Sequence, residues 1–284
     1  MNCDTLSLLA PAKLNLFLHI TGRRDDGYHE LETLFTFLDY GDTLHFTLRD
    51  DAQITLAQMD GIAKEDNLIY RAAIKLKERY QELGLTTSGV NISIDKCLPM
   101  GGGVGGGSSD AATTLLALNT LWGQHLTADE LAKLGVSLGA DVPIFVHGHS
   151  ALARGIGEQL TPVEVPECWY VVVHPQVHIS TAKVFTHPEL KRDSEKLPPK
   201  WQQAQHRNDC EPLVKKLYSE VEKTLQWLLK YAPSRMTGTG ACCFAAFDNE
   251  QAAQDVLEKL PSKWQGFVAK SLNKSPTHTG LDLV

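Results

Sequence analysis

The stretch Pro99–Ala112 reads PMGGGVGGGSSDAA, and six of the seven residues from Gly101 to Gly107 are glycine. Glycine lacks a Cβ and reaches φ > 0 at little cost, so successive backbone N–H groups can converge on an anion that larger side chains would keep away. Residues 108–118 follow with two serines and a run of good helix formers. This predicts a helix whose unsatisfied N-terminal donors and positive dipole end point into the loop. The combination is a phosphate cradle, and a nucleoside triphosphate is the ligand it predicts. A flexible linker would be polar on both sides; here residues 91–95 alternate like a strand before the loop and an apolar helix follows it. Gly101, Gly103 and Gly106 satisfy the dinucleotide fingerprint only trivially, because no acidic residue follows at the end of a second strand to hold a ribose. No Gly-Lys-Ser or Gly-Lys-Thr closes this or any other glycine cluster, which excludes a Walker A loop.

Outward from the loop, residues 13–20 alternate strictly, with Leu14, Leu16, Leu18 and Ile20 on one face and Lys13, Asn15, Phe17 and His19 on the other. A strand with one core face and one cleft-lining face is expected. Residues 21–29 read as a polar turn, and residues 43–48 as another strand. Asp66 and Asn67 can cap a helix that carries Leu68, Ile69, Ala72, Ala73, Leu76 and Tyr80 and ends at Gly84. Thr127 and Glu130 form a capping box for a helix to about Gly139, after which residues 139–143 make a turn ahead of apolar Ile144, Phe145 and Val146. Near residues 148–157 the pattern changes to short strands and turns, so domains of 1–150 and 151–284 are expected. The second half reads as a strand at 169–173, a polar loop over 187–200, a helix around 220–231, a second glycine cluster at 237–241, a strand at 242–247, a helix near 251–260 and a strand at 266–271. This order suits an α+β fold better than a βαβ repeat.

The chain as a whole, 284 residues with a formal net charge of −7, can bury large cores and is expected to be a soluble protein. An acidic balance argues against general affinity for nucleic acid or anionic membranes, so phosphate binding must rest on local donors. The six cysteines, Cys3, Cys97, Cys168, Cys210, Cys242 and Cys243, show no C-x-x-C spacing and suggest a reducing cytosol. Vicinal Cys242 and Cys243 are read as small buried residues rather than metal ligands. His147, His149, His174 and His178 are read as surface or turn histidines. The N-terminus has neither the charge nor the apolar length of a signal peptide or membrane span, and no exposed apolar stripe asks for a dimer, so a cytoplasmic monomer is expected.

Four features coincide: Pro-Ala-Lys-Leu-Asn at 11–15, the glycine loop at 99–112, Gly-Ala-Asp-Val-Pro at 139–143, and Thr-Gly-Thr-Gly-Ala at 237–241. Together they resemble the GHMP family of small-molecule kinases. Asp-Gly-Tyr-His at 26–29 and Asn-Asp-Cys-Glu at 208–211 narrow the likeness to the branch that acts on a cytidine diphosphate-linked methylerythritol, and it runs from about Pro11 to the C-terminus. The resemblance implies a two-domain GHMP kinase fold, with a ribosomal protein S5 domain 2-like N-terminal domain, a ferredoxin-like C-terminal domain and the active site between them. It also implies phosphorylation of the methylerythritol tertiary hydroxyl by ATP.

Residue by residue, the resemblance makes Asp141 the base that accepts the hydroxyl proton and Lys13 its partner, which stabilises charge on the attacking oxygen. It gives the phosphates to Pro99, Met100, Gly101, Gly102, Gly103, Val104, Gly105, Gly106, Gly107, Ser108 and Ser109, with Ser108 also a ligand of Mg2+. Asn67 and Lys96 fall near the adenine. On the substrate side, Tyr28 and Phe185 would sandwich the cytosine and His29 would read its edge, while Asn15 would orient the methylerythritol end. Thr181 would touch the diphosphate, and Gly238, Thr239 and Gly240 would lie against the substrate phosphates. Taken singly, Asp141 reads as a turn former, Lys13 as a surface lysine, Asn67 as a helix cap and either aromatic as core. A GHMP kinase for another alcohol and a non-catalytic nucleotide-binding protein stay as rivals, with a nicotinamide-dependent oxidoreductase as a remote third; Asp-Gly-Tyr-His counts against the first, and retention of both Lys13 and Asp141 against the second.

Overall fold

The computed structural model describes residues 5–58 and 61–283; Cys3 lies outside them. The chain opens with a long antiparallel hairpin, β1 (Thr5–Arg23) and β2 (His29–Arg49). It continues through β3 (Ile54–Leu56), α1 (Leu68–Glu82), β4 (Gly89–Asp95), α2 (Gly106–Leu121), α3 (Ala128–Val136), α4 (Val142–His147), β5 (Ala151–Arg154) and β6 (Gln159–Pro162). The second half is β7 (Trp169–His174), α5 (Thr181–Thr186), α6 (Glu211–Leu217), α7 (Ser219–Leu228), β8 (Ser234–Met236), β9 (Cys243–Phe247), α8 (Glu250–Leu257), β10 (Gln265–Leu272) and α9 (Pro276–Gly280).

The strands run in the order β3-β4-β2-β10-β7-β9-β8, with β1 and β5 also paired to β2. Within the second half, β7-β8-β9-β10 with intervening helices and the order β10-β7-β9-β8 is the split βαβ arrangement of ferredoxin-like domains.

One core packs α1, α2 and α4 on the first sheet around Phe37, Phe46, Leu76 and Leu115. A second packs α7 and α8 around Val171, Val221 and Leu228. A third joins them, with Leu14 and Leu38 from the hairpin, Val104 from the first glycine loop, and Tyr170, Cys242 and Phe244 from the second half. The cores are interleaved along the chain: Leu18 and Ile20 of β1 belong to the second, and Ala151 and Ala153 of β5 to the first.

Three sequence expectations need correction. The strict alternation of β1 fails, because the register shifts between Pro11 and Lys13 and again between Asn15 and Phe17. A one-residue slip exchanges faces, so Leu18, not His19, lies on the cleft side with Lys13 and Asn15. The residues after Asp141 form a helix and not only a turn: Pro143 stands at its second position, where a missing N–H costs nothing. His174 is half-buried at the end of β7; burial lowers its pKa, and among the described residues neither of its buried ring nitrogens has a partner.

Candidate active site

The first glycine loop ends earlier than its serines suggest. Gly105, at φ 78°, is the cap of α2, and the helix begins at Gly106. The first backbone bond into the helix is from Ser109 N–H to the Gly105 carbonyl at 2.8 Å. The N–H groups of Gly106, Gly107 and Ser108 therefore precede any intrahelical acceptor, which is the donor set an anion at a helix N-terminus uses. They border a cavity of about 350 Å³ together with Asn67, Lys96 and Met100.

A second cavity, of about 240 Å³, lies against Lys13, Asn15, Thr33, Phe185, Gly238 and Thr239. Gly103, Ser108, Asp141 and Thr181 line both cavities. At this shared wall Lys13 Nζ stands 3.2 Å from Asp141 Oδ2. Lys13 is 2% exposed; its ammonium also donates to Asn15 Oδ1 at 2.5 Å and lies 5.2 Å from the centre of the Phe35 ring. Asn15 is fixed in turn by donating to Thr33 Oγ1 at 2.8 Å and, through its backbone N–H, to Thr237 Oγ1 at 2.9 Å.

The two glycine clusters are stitched together. Lys13 N–H donates to the Val104 carbonyl at 2.9 Å, and Cys242 N–H to the Gly102 carbonyl at 2.9 Å. A Cβ on Gly103 would stand 2.5 Å from the Thr237 carbonyl oxygen, so the approach is possible only for glycine. Val104 turns its side chain into the joining core and gives the site only its backbone. Ser109 is fully buried and borders neither cavity, so it too supports the loop from behind.

Asn67 does cap α1, accepting from Ile69 N–H at 2.9 Å, while also lining the first cavity. Lys96 pairs with buried Asp42 and, at 3.0 Å, with Asp110. Burial alone would lower the Lys96 pKa, but the two carboxylates overcome it and the net direction is up. Burial also pushes the Asp110 carboxyl up, against the pull of Lys96.

Thr181 begins α5 with its hydroxyl 2.9 Å from Thr239 Oγ1. Phe185, on the same helix, stacks on the His29 ring at 5.0 Å, and His29 Nε2 accepts from Arg192 Nε at 2.9 Å. Burial, with Arg192 beside it, lowers the His29 pKa, so the ring is neutral near pH 7. Tyr28 stands at the hairpin tip, 57% exposed, and among the described residues no ring packs on it. Gly240 is held back in the turn by its N–H bond to Thr237 and packs near Met236.

Sequence reasoning missed Thr33 and Phe35, which reach the cleft because they lie opposite Leu18 and Asn15 in the hairpin register. Nothing in the local sequence marks either. His178, read as a surface or turn histidine, lines neither cavity but has its ring beside Gly101.

Comparison with known proteins identifies the family. The pattern described as GHMP kinases N terminal domain matches residues 67–149, and that described as GHMP kinases C terminal matches 187–266. A relative from Pseudoalteromonas translucida (strain TAC 125), named 4-diphosphocytidyl-2-C-methyl-D-erythritol kinase, is 64% identical over 99% of this chain and 98% of its own. This chain belongs to the GHMP kinase family. A relative of the same name from Tolumonas auensis (strain DSM 9187 / NBRC 110442 / TA 4) is 57% identical to this GHMP kinase over 99% of the chain and 98% of its own. Among solved structures, a 4-(cytidine 5'-diphospho)-2C-methyl-D-erythritol kinase superposes with a TM-score of 0.82 at 32% identity, over 94% of this chain and 99% of that one. A homoserine kinase from Cytophaga hutchinsonii shares the fold, with a TM-score of 0.68 at 16% identity over 97% of this chain and 96% of that one. This GHMP kinase therefore has the expected two-domain α+β fold and is a small-molecule kinase.

Proposed function

We propose that this GHMP kinase transfers the γ-phosphoryl group of ATP to the 2-hydroxyl of 4-diphosphocytidyl-2-C-methyl-D-erythritol, a step toward isoprenoid precursors on the non-mevalonate route. The observation that carries the reading is the Lys13–Asp141 pair at 3.2 Å on the wall common to two cavities. Asp141 accepts the hydroxyl proton as the oxygen attacks the γ-phosphorus, and ADP leaves with the electrons of the broken P–O bond. Lys13 stabilises the charge that gathers on the attacking oxygen.

Residues 1–150 supply the nucleotide side and 151–284 the substrate side, with β1 crossing between them. The cradle N–H groups hold the phosphates, and Asn67 and Lys96 flank the base. Among the described residues no three metal-binding side chains cluster. That donor set fits Mg2+ arriving on the nucleotide phosphates with its own waters, Ser108 adding one hydroxyl, since Mg2+ needs few protein ligands. Once bound, it would screen the negative charge of the transferring phosphoryl group. Tyr28 and Phe185 take the cytosine between them, His29 reads its edge, Asn15 orients the methylerythritol, and Thr181 with Gly238 and Thr239 meets the diphosphate, Gly240 serving only to close the turn behind them. A cytoplasmic monomer without nucleic-acid or membrane partners fits the acidic charge; among the described residues no helix is long and apolar enough to cross a membrane.

The test is ADP release from Mg-ATP with the cytidine compound beside mevalonate, galactose and no acceptor. Release with the cytidine compound alone is expected. Release with another alcohol would discard the cytosine pocket, and ATP binding without turnover on any acceptor would discard the kinase reading.

A further inference from the structure

Asn208 opens the Asn-Asp-Cys-Glu stretch that leads into α6. Its side chain is buried and every polar atom is engaged. Nδ2 donates to the Met236 carbonyl at 2.8 Å and to the Gly238 carbonyl at 2.7 Å, while Oδ1 accepts from Cys210 N–H at 2.9 Å. The stretch is itself anchored to β1: Leu18 N–H donates to the Arg207 carbonyl at 2.9 Å and Asp209 N–H to the Leu18 carbonyl at 2.8 Å. Glu211 adds an acceptor for Met236 N–H at 2.9 Å. Asn208 thus fixes the second glycine turn to the strand that carries Lys13 and Asn15.

The turn is closed by Gly240 N–H donating to the Thr237 carbonyl at 3.0 Å, with Gly238 at φ 56°. Its central peptide joins Gly238 to Thr239. In a trans peptide the C=O and N–H point in opposite directions. Gly238 and Thr239 border the second cavity and Asn208 does not; with the Gly238 carbonyl held toward Asn208, the Thr239 N–H is directed to the side away from Asn208. Among the described residues this N–H has no acceptor. Among the described residues the only cation bordering that cavity is Lys13, already engaged by Asp141 and Asn15. An anion placed there must be met by backbone donors and hydroxyls.

We propose that Asn208 is a positioning residue that holds the Thr239 N–H as a donor for the diphosphate of the acceptor, an inference that rests on the cytidine diphosphate reading above. Alanine at 208 leaves two buried carbonyls unpaired and frees the central peptide to turn over. Aspartate would set oxygen against oxygen.

The test compares CDP with cytidine by titration calorimetry in the full-length chain. The parent is expected to bind CDP more tightly than cytidine. Asn208→Ala is expected to weaken CDP tenfold or more, while cytidine affinity and the KM for ATP stay within about twofold. A merely structural defect would weaken CDP and cytidine alike, and that result, or no loss for CDP, overturns the proposal while leaving the kinase reading intact. A parent that binds neither compound overturns both. If Asn208→Ala does not fold, Asn208→Ser, which can still hold one carbonyl, is read by the same ratio: a reduced preference for CDP supports the proposal and an unchanged one overturns it.

Discussion

An aspartate at the N-cap of a helix ordinarily accepts hydrogen bonds from that helix's first N–H groups. Asp141 occupies that position on α4, but its side chain makes no capping bond and faces the Lys13 ammonium instead. Helix stability has been given up for a carboxylate aimed at the cleft, which is what a proton acceptor needs. Asp141→Asn is expected to lower kcat on the order of 10²-fold or more while nucleotide affinity is retained, given the size of general-base effects. Single-turnover rates beside equilibrium ATP binding check this, and lost ATP binding with undiminished turnover of the bound fraction would remove Asp141 from that role. The sequence made this pair legible through motif identity alone, since neither residue is distinctive by itself. The partners of Lys96 were not legible, because Asp42 sits on β2 and Asp110 on α2, and only folding brings them to the same ammonium.

At the scale of elements, the glycine loop and the helix after it were readable because both follow from local preference: glycine for positive φ, alanine and leucine for helix. The face assignment of β1 was not. A bulge consumes one residue of a strand without changing composition, so the alternation continued on paper past Asn15 while the strand changed faces. Short helices such as α5, α6 and α9 escaped for a related reason, since a helix of five to seven residues offers too few turns for its period to show. The contact between the two glycine clusters leads to a second prediction. Gly103 has φ 76°, and its missing Cβ is what lets it approach the Thr237 carbonyl. Gly103→Ala is expected to cost roughly 1–3 kcal/mol, the size of a strained backbone conformation, and to raise KM for both substrates because it pries the two walls of the site apart. Urea unfolding with steady-state kinetics reads both quantities; an alanine variant with unchanged stability would show that the loops can separate freely.

At the scale of the whole molecule, α9 returns to the first core. His278 is buried there, with Nε2 2.9 Å from the Val146 carbonyl near the end of α4. Burial pushes its pKa down to about 4 from an ordinary value of 6.5. Below pH 6.5 the unfolded chain takes up a proton that the folded chain refuses until about pH 4, so this group removes stability as pH falls through that window. Between pH 7 and pH 5 the loss is about 2 kcal/mol. The raised Asp110 carboxyl works in the opposite sense, so the measurement is a difference: His278→Gln should lose about 2 kcal/mol less than the parent between those two pH values. Equal losses in urea titrations of the two proteins would show that the imidazole is not the group responsible.

The same return of the C-terminus fixes an order of events on the ribosome. The Leu9 carbonyl in β1 receives its bond from Thr277 Oγ1, a residue 268 positions later, and Leu18 and Ile20 of that strand wait for a core built almost wholly from the second half. At a synthesis rate of roughly 5–20 residues per second, the first strand spends tens of seconds as a nascent apolar segment before its last partner emerges. A chain laid out this way cannot fold its first half to completion as it is made, and a chaperone at the exit tunnel would meet β1 before any of its distant partners do.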